Sequence, residues 1–199
     1  MKKISTPWGI SVLSTAISPD EKIVRVHTES HGGYGVSRQL TMPAHLDLPE
    51  DGQSDWRWYE EDEAWCCVPL AFPQYFDEKM VAAAAETAKD SFPHIYEAHF
   101  NCKLTPQESA ALYRAKIDSD LRCNFRVATA YGDWAWDVPR GYTFVVGRRA
   151  SDGEVKGFLV PKSEYDCANL SEMVLDAYPT FEPNRTLPYV KPKPEMLAA

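Results

Sequence analysis

Trp56-Arg57-Trp58-Tyr59-Glu60-Glu61-Asp62-Glu63-Ala64-Trp65-Cys66-Cys67 is the stretch on which this 199-residue sequence turns. Before it the chain reads as strands and turns, and after it as helix. Placed on a helix, residues 58–67 bring Trp58, Asp62 and Trp65 onto one face, because positions three and four apart are neighbours. Glu60, Glu61 and Glu63 then point to water while Asp62 points inward, where a buried carboxylate needs a partner. His31, Arg38 or a backbone amide of the glycine segment nearby is the expected one. The helical reading continues to Phe76, interrupted at Pro69 and Pro73, since each proline removes a backbone donor.

Working backward, Ile10, Val12 and Leu13 follow a Pro7-Trp8-Gly9 turn, and Ile23 to Thr28 has the β-branched bias of a strand. Ser30-His31-Gly32-Gly33-Tyr34-Gly35 reads as a tight glycine-rich turn, with Val36-Ser37 opening another short strand. Residues 41–57, with Pro43, Pro49 and Gly52, read as a polar connection. Working forward, Asp77 is a fitting N-cap for a helix through four alanines that stops near Ser91-Phe92-Pro93. Thr105-Pro106-Gln107-Glu108 spells a capping box with proline at the first helical position. Ala110, Tyr113, Ile117 and Leu121 then line one face.

From Phe125 to Val160 the pattern returns to strand. Asp152-Gly153 between Tyr142–Arg148 and Glu154–Val160 is a strong hairpin signal. One short helix is expected within 164–178. Five prolines among the last 21 residues favour an extended arm. Strands, helices, then strands give an α+β fold, with an antiparallel sheet from N-terminal strands and a C-terminal three-stranded meander, packed with central helices. The expected organisation is one domain over 1–178 and a proline-rich arm over 179–199.

Between Asp47 and Glu63 eight acids face a single base, Arg57, so this segment holds most of the formal net charge of −8. A sequence pI near 5.1 and the lack of clustered Lys and Arg argue against direct nucleic-acid binding. No window is apolar for the length of a membrane span. No apolar run follows Lys2-Lys3, so no secretory leader is expected and the reading is a cytoplasmic protein. Five cysteines without CxxC spacing read as reduced, mostly buried thiols.

His31 on the glycine segment is the most enzyme-like feature, able to act as a base beside bare backbone amides. Those glycines equally suit an ordinary turn. A metal site assembled from His31, Glu61 and Asp62 is conceivable in donor chemistry. It has no HExxH or DxDxDG spacing behind it, so neither a metal nor a cofactor is expected.

Thr6-Pro7-Trp8-Gly9, Ser30-His31-Gly32-Gly33, Trp58-Tyr59-Glu60-Glu61-Asp62, Phe72-Pro73, Gly132-Asp133-Trp134, Val138-Pro139 and Phe158-Leu159-Val160-Pro161 together resemble an uncharacterised domain family. That family occurs in proteobacterial proteins, often on plasmids and other mobile elements, and the resemblance spans roughly Thr6 to Tyr165. It implies no established activity.

The expected function is that of an acidic, non-enzymatic interaction protein of a phage or mobile element. It would inhibit a basic nucleic-acid-binding defence complex, in the manner of an anti-CRISPR or anti-restriction protein. Asp47, Glu50, Asp51, Asp55, Glu60 and Glu61 would meet Arg and Lys on the partner, with Trp56 and Trp58 as cation–π anchors. The alternative is a small hydrolase using a His31–Asp62 pair. A homo-oligomer docked through the C-terminal arm is a further expectation about partners.

Overall fold

The computed structural model describes residues 3–48, 55–135 and 137–183. By contact density the chain divides into two compact units, Met1–Tyr113 and Arg114–Ala199. The sequence expectation is a single domain to residue 178, and the boundary falls inside a helix.

In the first unit, the small hairpin β1 (Ser5–Thr6) and β2 (Gly9–Ile10) precedes a four-stranded antiparallel sheet. The sheet runs in sequence order through β3 (Leu13–Ala16), β4 (Ile23–His27), β5 (Gly32–Ser37) and β6 (Trp56–Glu60). Both faces of its inner strands are covered. One face carries Val24, Val26 and Trp58, packed against Ile4, Trp8 and Trp56. The other carries Ile23, Tyr34, Val36 and Tyr59, packed in the larger core with α1 (Cys67–Ala71), α2 (Glu78–Ser91) and α3 (Pro93–Phe100).

Two expectations are corrected here for one reason. The glycine segment is not a turn but the central strand β5, buried along its whole length. Its glycines make room for aromatic rings rather than for a reversal: a Cβ at Gly35 would lie 2.5 Å from the Trp58 ring, and one at Gly33 2.7 Å from that of Trp8. The reversal is made instead by Thr28–His31, closed by Thr28 N–H donating to the His31 carbonyl at 2.7 Å. Likewise Trp56–Glu60 is a strand paired to β5, Gly35 opposite Trp58 and Gly33 opposite Glu60, not the start of a helix. A strand buried on both faces has no polar alternation to announce it, and three large aromatics favour the pleated surface. Helical geometry begins only with a 3-10 turn at Ala64–Cys66, which leads into α1.

Other signals hold at residue level. The Asp77 carboxylate accepts the Met80 N–H at 2.7 Å, and α2 ends at Ser91 before Pro93. The capping box at Thr105 forms, with Glu108 accepting the Thr105 N–H at 2.8 Å, but it closes a single 3-10 turn. Ser109 is extended, so α4 (Ala110–Asp120) starts four residues later than Pro106 predicts. Tyr113, Ile117 and Leu121 are only half-buried and Ala110 is exposed.

In the second unit, β7 (Phe125–Tyr131), β8 (Tyr142–Arg149) and β9 (Val155–Pro161) form the expected antiparallel meander. The β8–β9 reversal has Gly153 at φ +76°, a conformation that glycine tolerates best. α5 (Lys162–Cys167) follows β9 directly. Its core is Phe125, Val145, Phe158, Val160, Met173 and Leu175. The first residues of the expected arm lie along β9, with Phe181 N–H donating to the Gly157 carbonyl at 2.8 Å. The remainder, 184–199, lies outside the described residues. The α+β class, with antiparallel sheets and packed helices, is the architecture found.

Candidate functional site

The acidic-aromatic stretch does not present one continuous face, because β6 deals its side chains alternately to the two sides of the sheet. Trp56, Trp58 and Glu60 share one side, and Arg57 and Tyr59 the other. Trp58 is 2% exposed, with its ring 6.0 Å from Trp8 and 5.9 Å from Trp56. It is a core side chain, which corrects the expectation of a surface anchor. Trp56 is half-buried in the same row.

Asp47 is engaged inside its own unit. Its Oδ1 lies 2.9 Å from Arg57 Nε and accepts the Tyr59 hydroxyl at 3.4 Å. Arg57 also donates to the carbonyls of Leu40 and Ser37, so the pair ties residues 37–47 to β6. Burial, reinforced by the Asp47 charge, pushes the Tyr59 phenol well above its ordinary value. Asp55, Glu61, Asp62 and Glu63 are exposed. Glu50 and Asp51 lie outside the described residues.

Asp62 does not point inward with Trp58 and Trp65; it sits exposed just past the end of β6. Its backbone N–H donates to Glu60 Oε2 at 2.8 Å. Among the described residues no hydrogen bond or ion pair joins His31 to Asp62. His31 instead places Nδ1 3.6 Å from Glu60 Oε1, its own side chain 52% exposed and that of Glu60 16%. Donor atoms of His31, Glu60 and Glu61 all fall within 4.8 Å of one another.

The backbone explains this convergence. Glu60 pairs with Gly33, and Glu61 N–H donates to the Gly32 carbonyl at 3.1 Å, extending the ladder one step beyond β6. His31 stands at the adjoining β4–β5 turn. Gly32 pairs with His27 across β4, and a Cβ on Gly32 would run into the Glu61 carboxylate and lie 3.0 Å from His27 Nδ1. A cavity of about 180 Å³ adjoins Glu61, lined by Arg25, Gly33, Tyr34, Glu61, Trp65 and Met80. Of the residues expected to meet, His31 and Glu61 come together here and Asp62 does not; Glu60 takes its place. Glu60 was recoverable only from strand register, which places it opposite Gly33.

One pair in this unit has no signal in the sequence. His45 Nε2 and His99 Nδ1 lie 3.2 Å apart, joining the 3-10 turn Ala44–Leu46 to α3. Burial, then the nearby His45 charge, holds His99 below the ordinary imidazole value. Fifty-four positions separate the two, and no spacing rule links them. The cysteines are free, but only Cys66 and Cys67 are buried; Cys102, Cys123 and Cys167 are exposed. No described helix is long and apolar enough to cross a membrane.

No curated protein and no solved structure matches the chain. A family model matches residues 1–122, so the expected landmarks from Gly132 to Pro161 fall beyond that match. Its span takes in the first unit, with the four-stranded sheet and the His31–Glu60–Glu61 cluster. The chain therefore belongs to the family described as Domain of unknown function (DUF7007), matched over residues 1–122.

Proposed function

We propose that this protein works by binding, with the acidic turn after β6 as its contact surface for a basic partner. The observation that carries this is the state of Glu61, Asp62 and Glu63. All three are exposed, and among the described residues no Lys or Arg pairs with any of them. Consecutive carboxylates without internal cations keep their charge available to a partner's Arg and Lys. Asp55 adds to this surface from the other end of β6. Asp47 contributes less, since its charge is engaged by Arg57. Trp58 supports the strand from within, leaving Trp56 as the aromatic that can approach a partner.

The partner class that fits is a basic nucleic-acid-binding complex, such as a CRISPR effector or a restriction system. That choice rests on charge complementarity and on the proteobacterial mobile-element setting implied by the resemblance. The small-hydrolase alternative would now need His31 with Glu60 in place of Asp62, and no further observation favours it.

The test is binding of the full chain to purified effector and restriction complexes across a salt series, beside a D55N/E61Q/D62N/E63Q variant. Attraction between exposed charges is screened by salt, so affinity is expected to fall steeply as salt rises. The variant is expected to lose about tenfold or more, roughly 1.4 kcal/mol. Equal affinity of variant and parent, with circular dichroism showing both folded, would sink this reading.

A further inference from the structure

Glu60 Oε1 is enclosed and accepts no hydrogen bond. Its sister oxygen is satisfied by the Asp62 N–H, so the carboxylate is held in place with one oxygen lacking a hydrogen-bond donor. At 3.6 Å the His31 nitrogen is too distant to serve as the missing donor. A carboxylate oxygen withdrawn from water without a donor is costly, and a second carboxylate beside it adds repulsion. Glu61 supplies that second carboxylate, within 4.8 Å of the donor atoms of both Glu60 and His31. Gly32 leaves the space that the Glu61 carboxylate occupies, space that a Cβ would fill.

A buried oxygen without a hydrogen-bond donor, a second carboxylate, an imidazole and a glycine cradle have one common solution. We propose that His31, Glu60 and Glu61 form a three-ligand site for a divalent first-row transition ion. One imidazole with two carboxylates suits Mn²⁺, Fe²⁺ or Zn²⁺ better than Ca²⁺ or Mg²⁺, which prefer oxygen throughout. Ligand bonds of about 2.0–2.2 Å require the donors to draw together. His31 and Glu61 are exposed and can swing inward, while Glu60 is the fixed member. Three protein ligands leave coordination positions open to solvent, where water or a partner's carboxylate or imidazole can bind. The site requires no partner protein, so its test is independent of the binding reading above.

The experiment is titration of the purified full chain with Mn²⁺ and Zn²⁺ separately, followed by calorimetry, with the Mn²⁺ spectrum read by electron paramagnetic resonance. One ion per chain is expected. H31Q and E60Q should each weaken binding at least about tenfold, the scale on which metal sites respond to altered ligation. G32A should do the same by displacing the Glu61 carboxylate, and D62N should leave affinity unchanged. His31 is exposed, so H31Q remains informative even where E60Q disturbs folding. The proposal is overturned by absence of saturable binding of either ion up to about 1 mM. Binding that survives H31Q overturns it too, as does a loss in D62N equal to that in H31Q, which would mark diffuse attraction to acids.

Discussion

The two compact units differ in how they carry charge. Residues 1–113 hold 17 acids against 9 bases, and residues 114–199 hold 12 of each. The whole net charge therefore belongs to the first unit. In the second, acids are answered locally: Asp118 by Arg126, Asp152 and Glu154 by Arg149, and Asp166 by Lys162. In the first, Asp47 and Glu60 are drawn into internal contacts while Glu61, Asp62 and Glu63 are left over. Most of the surplus lies within residues 47–63, and its described, unengaged part is Asp55 with the turn after β6. Composition alone made the whole segment look equally available.

Separate cores imply separate sensitivities, and the strongest challenge to the comparison is truncation in each. Trp58→Ala and Phe158→Ala should each cost about 3–5 kcal/mol, the range for emptying a buried aromatic site. Hydrogen exchange should show protection falling over β4–β6 in the first variant and over β7–β9 in the second. Loss across both units from either substitution would break the division.

A smaller effect is expected at the Arg57–Asp47 tie. Arg57→Met removes the charge partner of Asp47 and the donor to the Leu40 carbonyl, and should cost about 1–3 kcal/mol by chemical denaturation. An unchanged midpoint would return Asp47 to the pool of free surface acids.

The next effect is one of pH. His99 titrates below its ordinary value in the folded state, so folding disfavours its protonated form. That contribution is complete above the unfolded value of about 6.5 and is lost as pH falls from there toward the folded one. The denaturation midpoint should therefore drop between pH 7.5 and 5.5, and the slope should flatten in His99→Gln. Persistence of the full slope in that variant would assign the pH dependence elsewhere.

The smallest effect should come from the second unit's surface pairs. Lys116→Met removes a half-exposed contact to Asp120 and should change stability by less than about 0.5 kcal/mol. A larger loss would mean that local charge matching, not only the core, holds residues 114–199.

How much of this was legible in sequence depended on whether local or distant partners decide a residue's state. Asp77 capping Met80 and Gly153 at its hairpin are fixed by neighbours within a few positions, and their signals are unambiguous. The strand Trp56–Glu60 is decided by β5 and by Trp8, dozens of residues away, and its run of aromatics and acids has no period that excludes a helix. A helix through these residues turns Asp62 inward and Glu60 outward, the reverse of what is found. The glycines of β5 are opaque for the same reason, since side chains are missing there to clear the Trp8 and Trp58 rings, the Tyr59 carbonyl and the Glu61 carboxylate. His31 was legible as chemistry but not as geometry, because its acid partner depends on register.

The row of Trp8, Trp58 and Trp56 has an optical consequence. Three indoles at van der Waals range, one pair edge-on and the other nearly parallel, couple their excited states. The coupled transitions should give a circular-dichroism couplet in the tryptophan bands that a Trp8→Phe variant diminishes. Release of the β1–β2 hairpin from the sheet would erase the same signal while leaving the backbone spectrum nearly intact. The side chains that fill the space above glycine thus supply an intrinsic, label-free reporter of whether that cover is in place.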